Sequence, residues 1–396
     1  MPDHEELVIR VARPEDAEGI VALVNDRIGA EDGPEARITL NDPRFGPGGW
    51  TVAVDGGRVV SVLGLFPAST RVGSVTVQSA FIEFVATDRE YEGRGLVRKQ
   101  LDLAHRISEE RGDLIIWMVG IPYFYRQFGY EYAVPTPRTI DLTNSATGAA
   151  TGLSFRGATA DDLDAISALQ DHMAASAVIV AEHDQLLWSW YLESPVYRVV
   201  LAEREGTPVG MMRIYDDDGT PLVFDVAAGD PDTFHALTME AAGPGGTVTV
   251  ALRPGLEDFV ADLGETDHDG YAYYVRVPDP GGLFAAVLPE LNFRLADSGV
   301  EFEDGELLIS LYRESITAQI RNGQLESVAA GGTVQAPVSQ GGSGIPPDLV
   351  GHLILGPLGA LELEQRHADV LLGKRRELMD VLFPPQSVDV QSWVWP

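Results

Sequence analysis

The chain of 396 residues contains no cysteine. Disulfides, thiolate zinc sites and cysteine nucleophiles are therefore excluded. Basic residues are also scarce, since 28 Lys and Arg stand against 60 Asp and Glu, which gives a net charge of −32. This balance argues against general binding to nucleic acids or to anionic lipid surfaces, because both need basic patches. Two interpretations of the acid excess stay open: attraction of cationic small molecules, or a surface that serves only solubility.

Long apolar runs are missing as well. The longest apolar stretches, at 199–202 and 353–361, are far shorter than the roughly 20 residues of a membrane-spanning helix. The first ten residues, MPDHEELVIR, are acidic and polar, unlike a signal peptide. We therefore expect a soluble, cytoplasmic protein.

An internal repeat organises the first part of the chain. Segments that begin at Leu7 and Leu153 share residues at a constant offset: Leu7, Arg10, Ala12, Asp16, Ile20, Ala22 and Leu23 recur as Leu153, Arg156, Ala158, Asp162, Ile166, Ala168 and Leu169. Each copy indicates a strand, an acidic turn and an amphipathic helix. Strand–turn–strand patterns follow at 51–65 and 199–214. The sequence therefore predicts two tandem copies of one α+β fold.

A Pro/Gly break, VPDPGG at 277–282, ends the second copy. Beyond it the pattern changes to a helix, then strands separated by glycine turns, then two further helices at 346–356 and 374–382. We expect three domains, at 1–148, 149–282 and 283–396, of which the last is a smaller α+β domain.

The segment 81–112 carries the clearest chemical signal. FIEFVAT predicts a strand, apolar residues at helical spacing predict a helix, and Glu-Gly-Arg-Gly-Leu-Val at 92–97 joins them. In such a turn, glycines let backbone N–H groups approach a pyrophosphate, and the helix dipole favours the anion. Arg94 and Arg98 add positive charge. The spacing fits neither the dinucleotide fingerprint nor a Walker A loop.

The stretch ATDREYEGRGLVRKQL, at 86–101, resembles the acetyl-CoA-binding motif Gln/Arg-x-x-Gly-x-Gly/Ala of the GCN5-related N-acetyltransferases (GNAT superfamily). Gly95 matches the central glycine, whereas Glu92 and Val97 depart from the first and last positions. A carboxylate at Glu92 would repel a pyrophosphate. The resemblance implies acetyl-CoA as the co-substrate, bound by Val85, Ala86, Thr87, Gly93, Arg94, Gly95, Leu96, Val97, Arg98, Gly120 and Ile121.

A second segment, GIPYFYRQFGYEYA at 120–133, is similar to the closing element of the same family, in which a Tyr lies four residues before a Gly-aromatic pair. Tyr125 fits that spacing, and the resemblance implies that it protonates the departing CoA thiolate. A phenol with a pKa of about 10 can donate a proton at neutral pH. We expect the neighbouring tyrosines in the core or in a cleft wall. The eight histidines show no metal-binding spacing, so no metal is expected.

The whole chain resembles the enhanced intracellular survival (Eis) type, with two GNAT-like copies and a third domain of sterol-carrier-protein-like fold. The second copy has Asp-Pro-Asp at 230–232 where the pyrophosphate glycines would lie, so we expect it to be silent. The Eis resemblance implies that the C-terminal carboxylate, here that of Pro396, is the catalytic base, with Trp393 and Trp395 as anchors of the tail. Two alternatives stay open: a tail that only packs on the third domain, and Glu83 as the base.

The sequence therefore predicts an acetyl-CoA-dependent N-acetyltransferase. The Eis resemblance implies an aminoglycoside, a polyamine-like amine or a protein lysine as the acceptor, and a homohexamer as the assembly. We expect neither nucleic acid nor a membrane as a partner. The alternative is a non-catalytic lipid- or small-molecule-binding protein with structural GNAT domains, which the departures at Glu92 and Val97 favour.

Overall fold

The computed structural model describes residues 7–30, 32–144, 152–217, 219–267 and 270–391. Over these ranges the strands form three sheets, with helices packed against them. Sheet 1 contains β1 (Val8–Val11), β2 (Trp50–Asp55), β3 (Arg58–Val72), β4 (Val75–Thr87), β5 (Ile115–Met118), β6 (Glu131–Pro135), β9 (Ile179–Ala181), β14 (Ala272–Arg276) and β19 (Val388–Asp389). Sheet 2 contains β7 (Arg138–Thr143), β8 (Leu153–Gly157), β10 (Tyr197–Arg204), β11 (Thr207–Asp217), β12 (Thr220–Ala228) and β13 (Thr247–Leu252). Sheet 3 contains β15 (Gly305–Ser310), β16 (Ser315–Arg321), β17 (Gln324–Gly331) and β18 (Ser343–Gly344).

The α-helices lie between and around the sheets. They are α1 (Ala17–Arg27), α2 (Asp32–Asn41), α3 (Leu96–Arg111), α4 (Leu163–Ala174), α5 (Gln185–Glu193), α6 (Pro231–Ala242), α7 (Glu257–Val260), α8 (Pro280–Ala286), α9 (Leu288–Asp297), α10 (Val350–Leu355), α11 (Gly359–Arg366) and α12 (Arg376–Leu382). Across the ranges described above, none of these helices has both the length and the apolar character needed to span a bilayer.

The internal repeat has a structural counterpart. In the first copy Arg10 pairs with Asp16 at 2.6 Å, and in the second copy Arg156 pairs with Asp162 at 2.7 Å. Each aspartate also accepts a backbone N–H at the start of the turn that precedes the helix, from Arg13 in the first copy. The shared residues therefore fix the same strand–turn–helix entry twice, and the prediction of two tandem copies of one α+β fold is confirmed.

Strands from each copy join the sheet of the other copy. The path through sheet 1 is β1-β2-β3-β4-β5-β14-β6, so that β14, near the end of the second copy, lies antiparallel between β5 and β6. The short strand β9, also from the second copy, pairs with β3. In return β7, which precedes the second copy, pairs with β13 at the edge of sheet 2. Each unit therefore completes the sheet of the other. The domain boundaries expected at 148 and 282 stay predictions.

Residues beyond 282 supply all four strands of sheet 3, whereas β19 near the end of the chain joins sheet 1. In sheet 3, β15 pairs antiparallel with β16 and parallel with β18. The helices predicted at 346–356 and 374–382 correspond to α10 and α12. Helix α11 between them was not predicted; it begins at Gly359, which takes a left-handed φ of +70° directly after a Gly-Pro-Leu turn.

Candidate active site

A divergence between β4 and β5 forms the base of the candidate site. The parallel ladder between these strands runs along β4 from Ser79 and ends at Ile82. Phe84 follows with a φ of +53°, where the register between β3 and β4 shifts. Such a bulge bends and twists a strand. Residues 85–87 come directly after it and line an open groove.

The glycine turn at the start of α3 lies in the same groove. Gly93 and Gly95 have φ values of +73° and +72°, which glycine adopts at little cost. A Cβ on either residue would meet no atom within 4 Å, so the turn itself, and not crowding, requires glycine. Because Gly95 caps α3, the N–H groups of residues 96–98 have no partner within the helix. This turn therefore offers N–H donors and a helix dipole to an anion.

Glu92, the residue that departs most from the GNAT motif, is neutralised from a distant helix. The Arg27 guanidinium at the end of α1 donates to the Glu92 carboxylate at 2.6 Å and to the backbone oxygen of Thr87 at 2.9 Å. Arg27 also lines the groove. The expected repulsion of a pyrophosphate by Glu92 is therefore offset by a cation that the sequence motif does not contain.

The two arginines of the motif have different environments. The Arg94 guanidinium lies 4.5 Å from the centre of the Tyr91 ring and donates to the backbone oxygen of Glu90. The Arg98 guanidinium lies 4.6 Å from the centre of the Phe128 ring and donates to Gln127, on the opposite wall of the groove. Arg98 is therefore the motif arginine that faces the groove, whereas Arg94 braces the turn from outside.

The groove has a volume of about 490 Å³. It brings together most of the residues expected to bind acetyl-CoA: Val85, Ala86, Thr87, Gly93, Gly95, Leu96, Val97, Arg98 and Ile121. Gly120 lines a second cavity instead. The arrangement fits an elongated ligand that carries a pyrophosphate, because anion donors and an apolar wall occur along one groove.

Tyr125 lies where the groove meets that second cavity and lines both. Its ring is buried, with 3% exposure, in a short 3-10 turn at 124–128. Burial raises the pKa of the Tyr125 hydroxyl well above its ordinary value, so the hydroxyl keeps its proton at neutral pH. A Cβ on Gly120 would lie 2.3 Å from this ring, so glycine at that position leaves room for Tyr125.

The second cavity, of about 730 Å³, opens between sheets 1 and 2. Most of its wall is apolar or aromatic. The lining residues include Ile28, Ile82, Phe84, Val119, Ile121, Leu222, Phe224 and Tyr271. Glu83, one of the proposed bases, lines it as well and is buried with 4% exposure.

Buried ionisable side chains lie in and near the wall of this cavity. Burial, and the negative charge of Asp32, raise the pKa of Glu35 to about 8, so this carboxyl is largely protonated at neutral pH. The negative charge of Glu83 raises the pKa of Glu35 further. The nearby Arg213 guanidinium, whose charge lowers the Glu35 pKa, donates to Asp225 at 2.6 Å and lies 4.0 Å from the centre of the Tyr191 ring.

The end of the described chain runs into the same cavity. Strand β19 pairs with β9, and its Asp389 carboxylate accepts from the guanidinium of Arg253, which is 2% exposed. The amide of Gln391 then donates to the backbone oxygen of Phe224 at 2.8 Å, and Gln391 lines the cavity. Trp393, Trp395 and Pro396 lie outside the described residues.

The second copy carries its own anion at the equivalent helix start. The Asp230 carboxylate caps α6 and accepts the backbone N–H of Thr233 at 2.8 Å. This bond lowers the pKa of Asp230, so the carboxylate stays charged. A fixed negative charge therefore lies at the start of α6, whereas the equivalent start of α3 in the first copy offers N–H groups to an anion.

Several residues of the site were missed from the sequence. Arg27, Glu35, Arg213 and Tyr274 are all far in sequence from the motifs, and none stands in a recognisable spacing. Tyr274 lies on the exchanged strand β14, with its ring centre 5.6 Å from that of Tyr125. Only tertiary packing brings these residues to one site: Arg27 and Glu35 come from helices of the first copy, Arg213 and Tyr274 from strands of the second.

Solved structures with the same fold extend over nearly the whole chain. A GCN5-related N-acetyltransferase from Kribbella flavida aligns with a TM-score of 0.67 and 17% identity, over 97% of this chain and 98% of its own. Eis1 from Mycobacterium abscessus aligns with a TM-score of 0.66 and 13% identity, over 98% of this chain and 100% of its own. At these identities the similarity shows the fold.

Sequence relatives identify the family of the first unit. Residues 8–133 match the family described as acetyltransferase (GNAT) domain. The uncharacterized N-acetyltransferase YhbS of Escherichia coli K12 is 31% identical over 134 residues, which are 32% of this chain and 75% of that protein. The matched segment contains the groove, the glycine turn and Tyr125. The chain therefore belongs to the GNAT N-acetyltransferase family and is an acyltransferase.

Proposed function

We propose that the protein transfers the acetyl group of acetyl-CoA to an amine, as an N-acetyltransferase of the Eis type. One observation carries the proposal: Tyr125 lies at the junction of a groove suited to a CoA donor and a separate cavity suited to an acceptor. A donor and an acceptor that enter from the two sides would meet at this side chain. Family membership supports an acyl-CoA donor.

On the donor side, residues of the groove have distinct tasks. The N–H groups of 96–98 and the Arg98 guanidinium would hold the pyrophosphate. The backbone of β4 at 85–87 would orient the pantetheine arm beside the strand. Arg27 keeps Glu92 neutralised. These contacts would deliver the thioester to Tyr125.

The reaction needs one proton acceptor and one proton donor. The neutral amine attacks the thioester carbonyl carbon, so that a C–N bond forms and the C–S bond breaks. A base takes the proton from the amine nitrogen, and the Tyr125 hydroxyl gives its proton to the CoA thiolate. Because Tyr125 is buried and protonated, its proton is available for this step.

For the base we propose the terminal carboxylate of Pro396. Gln391 already lines the acceptor cavity. Five further residues span at most about 17 Å, so the carboxylate must lie within that distance of Gln391. The role requires Pro396 to be the last residue of the protein, which an intact mass verifies. Glu83, buried in the same wall, is the competing candidate.

The cavity wall favours one kind of acceptor among those that the sequence leaves open. The charged side chains that line it, among the described residues, are the carboxylate of Glu83 and the guanidiniums of Arg27 and Arg213. Both guanidiniums already pair with carboxylates, Arg27 with Glu92 and Arg213 with Asp225. An aminoglycoside with several ammonium groups would therefore find only the Glu83 carboxylate among these side chains, whereas a single amine on an apolar or aromatic body would fit the remaining wall. We therefore expect monoamines to have higher kcat/KM values than aminoglycosides in one panel. The reverse order would contradict this assignment.

The Eis type also implies properties of the whole protein. Under this proposal the second copy is silent, which the Asp230 cap supports, and the third domain has a sterol-carrier-protein-like fold. A homohexamer in the cytoplasm is part of the same proposal. Sedimentation of the purified protein tests the assembly, since a monomer or dimer at micromolar concentration would contradict it.

The position of the tag tests the base. A C-terminal tag replaces the Pro396 carboxylate by a peptide group, whereas an N-terminal tag leaves it in place. We expect the C-terminal tag to lower kcat roughly 10²- to 10⁴-fold, the range for a general base, with acetyl-CoA binding retained. Equal kcat values for the two proteins would exclude Pro396 as the base and leave Glu83.

A further inference from the structure

Two tyrosines on neighbouring strands meet behind the loop that carries Tyr125. Tyr132 on β6 and Tyr274 on β14 are cross-strand partners. Their ring centres are 4.0 Å apart with an interplanar angle of 24°, and their hydroxyl oxygens are 2.7 Å apart. Tyr274 is fully buried. The two hydroxyls therefore form a fixed pair beneath the loop.

Both hydroxyls bind the backbone of the loop. The Tyr274 hydroxyl lies 3.1 Å from the backbone oxygen of Ile121, and the Tyr132 hydroxyl accepts the backbone N–H of Tyr123 at 3.1 Å. Each hydroxyl has one hydrogen to donate. The Tyr274 hydroxyl donates its hydrogen to the Tyr132 hydroxyl at 2.7 Å and is also within reach of the Ile121 carbonyl, while Tyr132 accepts from Tyr123. These contacts form a relay that begins and ends on the same loop.

The loop needs such support. Tyr123 has a φ of +69°, a left-handed conformation that is costly for a bulky residue. The side chains of Ile121 and Tyr123 are 62% and 73% exposed, so packing by these two side chains holds the loop only weakly. The relay fixes its backbone at both ends.

The same loop leads directly into the turn of Tyr125. The Tyr274 ring packs edge-on against the Tyr125 ring, with centres 5.6 Å apart. Burial and the bond with Tyr132 raise the pKa of Tyr274, so its hydroxyl stays a donor. Tyr274 thus contacts Tyr125 through its ring and the loop through its hydroxyl.

We propose that Tyr274 and Tyr132 are positioning residues for Tyr125, and that the relay between them fixes residues 121–123 so that the Tyr125 hydroxyl lies at the junction of groove and cavity. This inference rests on the proposed role of Tyr125 as the proton donor. Strand β14 lies near the end of the second copy. Under this proposal the second copy therefore contributes a positioning residue to the active site as well as a strand to sheet 1.

The test uses Tyr274→Phe and Tyr132→Phe, which keep both rings and remove one hydroxyl each. Either change breaks the relay, and a displacement of about 1 Å at a catalytic group can cost about 10²-fold in rate. We expect kcat to fall 10- to 100-fold in each variant, with KM for acetyl-CoA within twofold. The double variant should lose no more than either single one.

A Tyr125→Phe background separates positioning from general support. If Tyr274 acts through Tyr125, Tyr125→Phe/Tyr274→Phe should have the kcat of Tyr125→Phe alone. The matched control is Tyr130→Phe, because the Tyr130 hydroxyl is also buried near Tyr125 but bonds to His105 at 2.8 Å. We expect its kcat within twofold of the parent.

Two results would overturn the inference while leaving Tyr125 as the donor: a parent-like kcat in Tyr274→Phe and Tyr132→Phe, or a further loss in the Tyr125→Phe background. A parent-like kcat in Tyr125→Phe itself would instead overturn the proposed proton donor. If Tyr274→Phe does not fold, Tyr132→Phe makes the same test from the other end of the relay.

Discussion

The guanidinium of Arg27 and the carboxylate of Glu92 lie 2.6 Å apart, although 65 residues separate them in the chain. This pair accounts for an acidic residue at a position where the GNAT motif has Gln or Arg. The Glu92 side chain is 57% exposed and that of Arg27 19% exposed, so the pair itself adds little stability. Its effect is on the local charge of the groove.

Removal of one partner should therefore expose the charge of the other. Arg27→Gln leaves the Glu92 carboxylate unopposed near the pyrophosphate. We expect KM for acetyl-CoA to rise about tenfold, which corresponds to about 1.4 kcal/mol of binding free energy. The double variant Arg27→Gln/Glu92→Gln should recover most of this loss. If the double variant binds acetyl-CoA no better than Arg27→Gln, neutralisation of Glu92 is not the task of Arg27.

Gly120 should be intolerant of any side chain. The Cβ of Gly120→Ala would lie 2.3 Å from the Tyr125 ring, which must then move. We expect kcat to fall about 10²-fold, because the hydroxyl is displaced from the reacting atoms. Gly157→Ala is the control, since a Cβ at Gly157 meets no atom within 4 Å. Steady-state kinetics measure kcat for Gly120→Ala and Gly157→Ala. Equal kcat values for the two variants would contradict the placement of Tyr125.

Glu35 should make the stability depend on pH. Burial, with Asp32, raises its pKa to about 8, whereas in the unfolded chain a glutamate ionises near 4.3. Between about pH 5 and 8 the unfolded state therefore binds fewer protons than the folded state, and the free energy of unfolding falls as the pH rises. Each pKa unit by which Glu35 differs between the folded and unfolded states corresponds to about 1.4 kcal/mol in the free energy of unfolding.

Glu35→Gln removes this titration. We expect the stability of the variant relative to the parent to increase from pH 5 to 8 and to level off above pH 8. Urea unfolding at several pH values measures the difference. Parallel curves for the two proteins would show that Glu35 ionises normally in the folded protein.

The sequence identified the parts of the site that are local in the chain. A strand, two glycines and a helix start lie within 81–112, and Tyr125 lies in a short recognisable element, so their patterns predict the groove. Arg27 and Tyr274 could not be found in this way, because α1 and the exchanged strand β14 reach the site only through tertiary pairing. The strand exchange itself leaves no periodic signal, since β7 and β14 look like ordinary strands of the unit in which they occur.

The role of Tyr125 is the central claim, and one substitution tests it most directly. Tyr125→Phe keeps the ring and removes the hydroxyl that would protonate the CoA thiolate. With acetyl-CoA and a monoamine acceptor, we expect kcat to fall roughly 10²- to 10⁴-fold, while KM for acetyl-CoA and the unfolding temperature stay close to the parent. A parent-like kcat in Tyr125→Phe, measured beside Tyr130→Phe, would contradict the account.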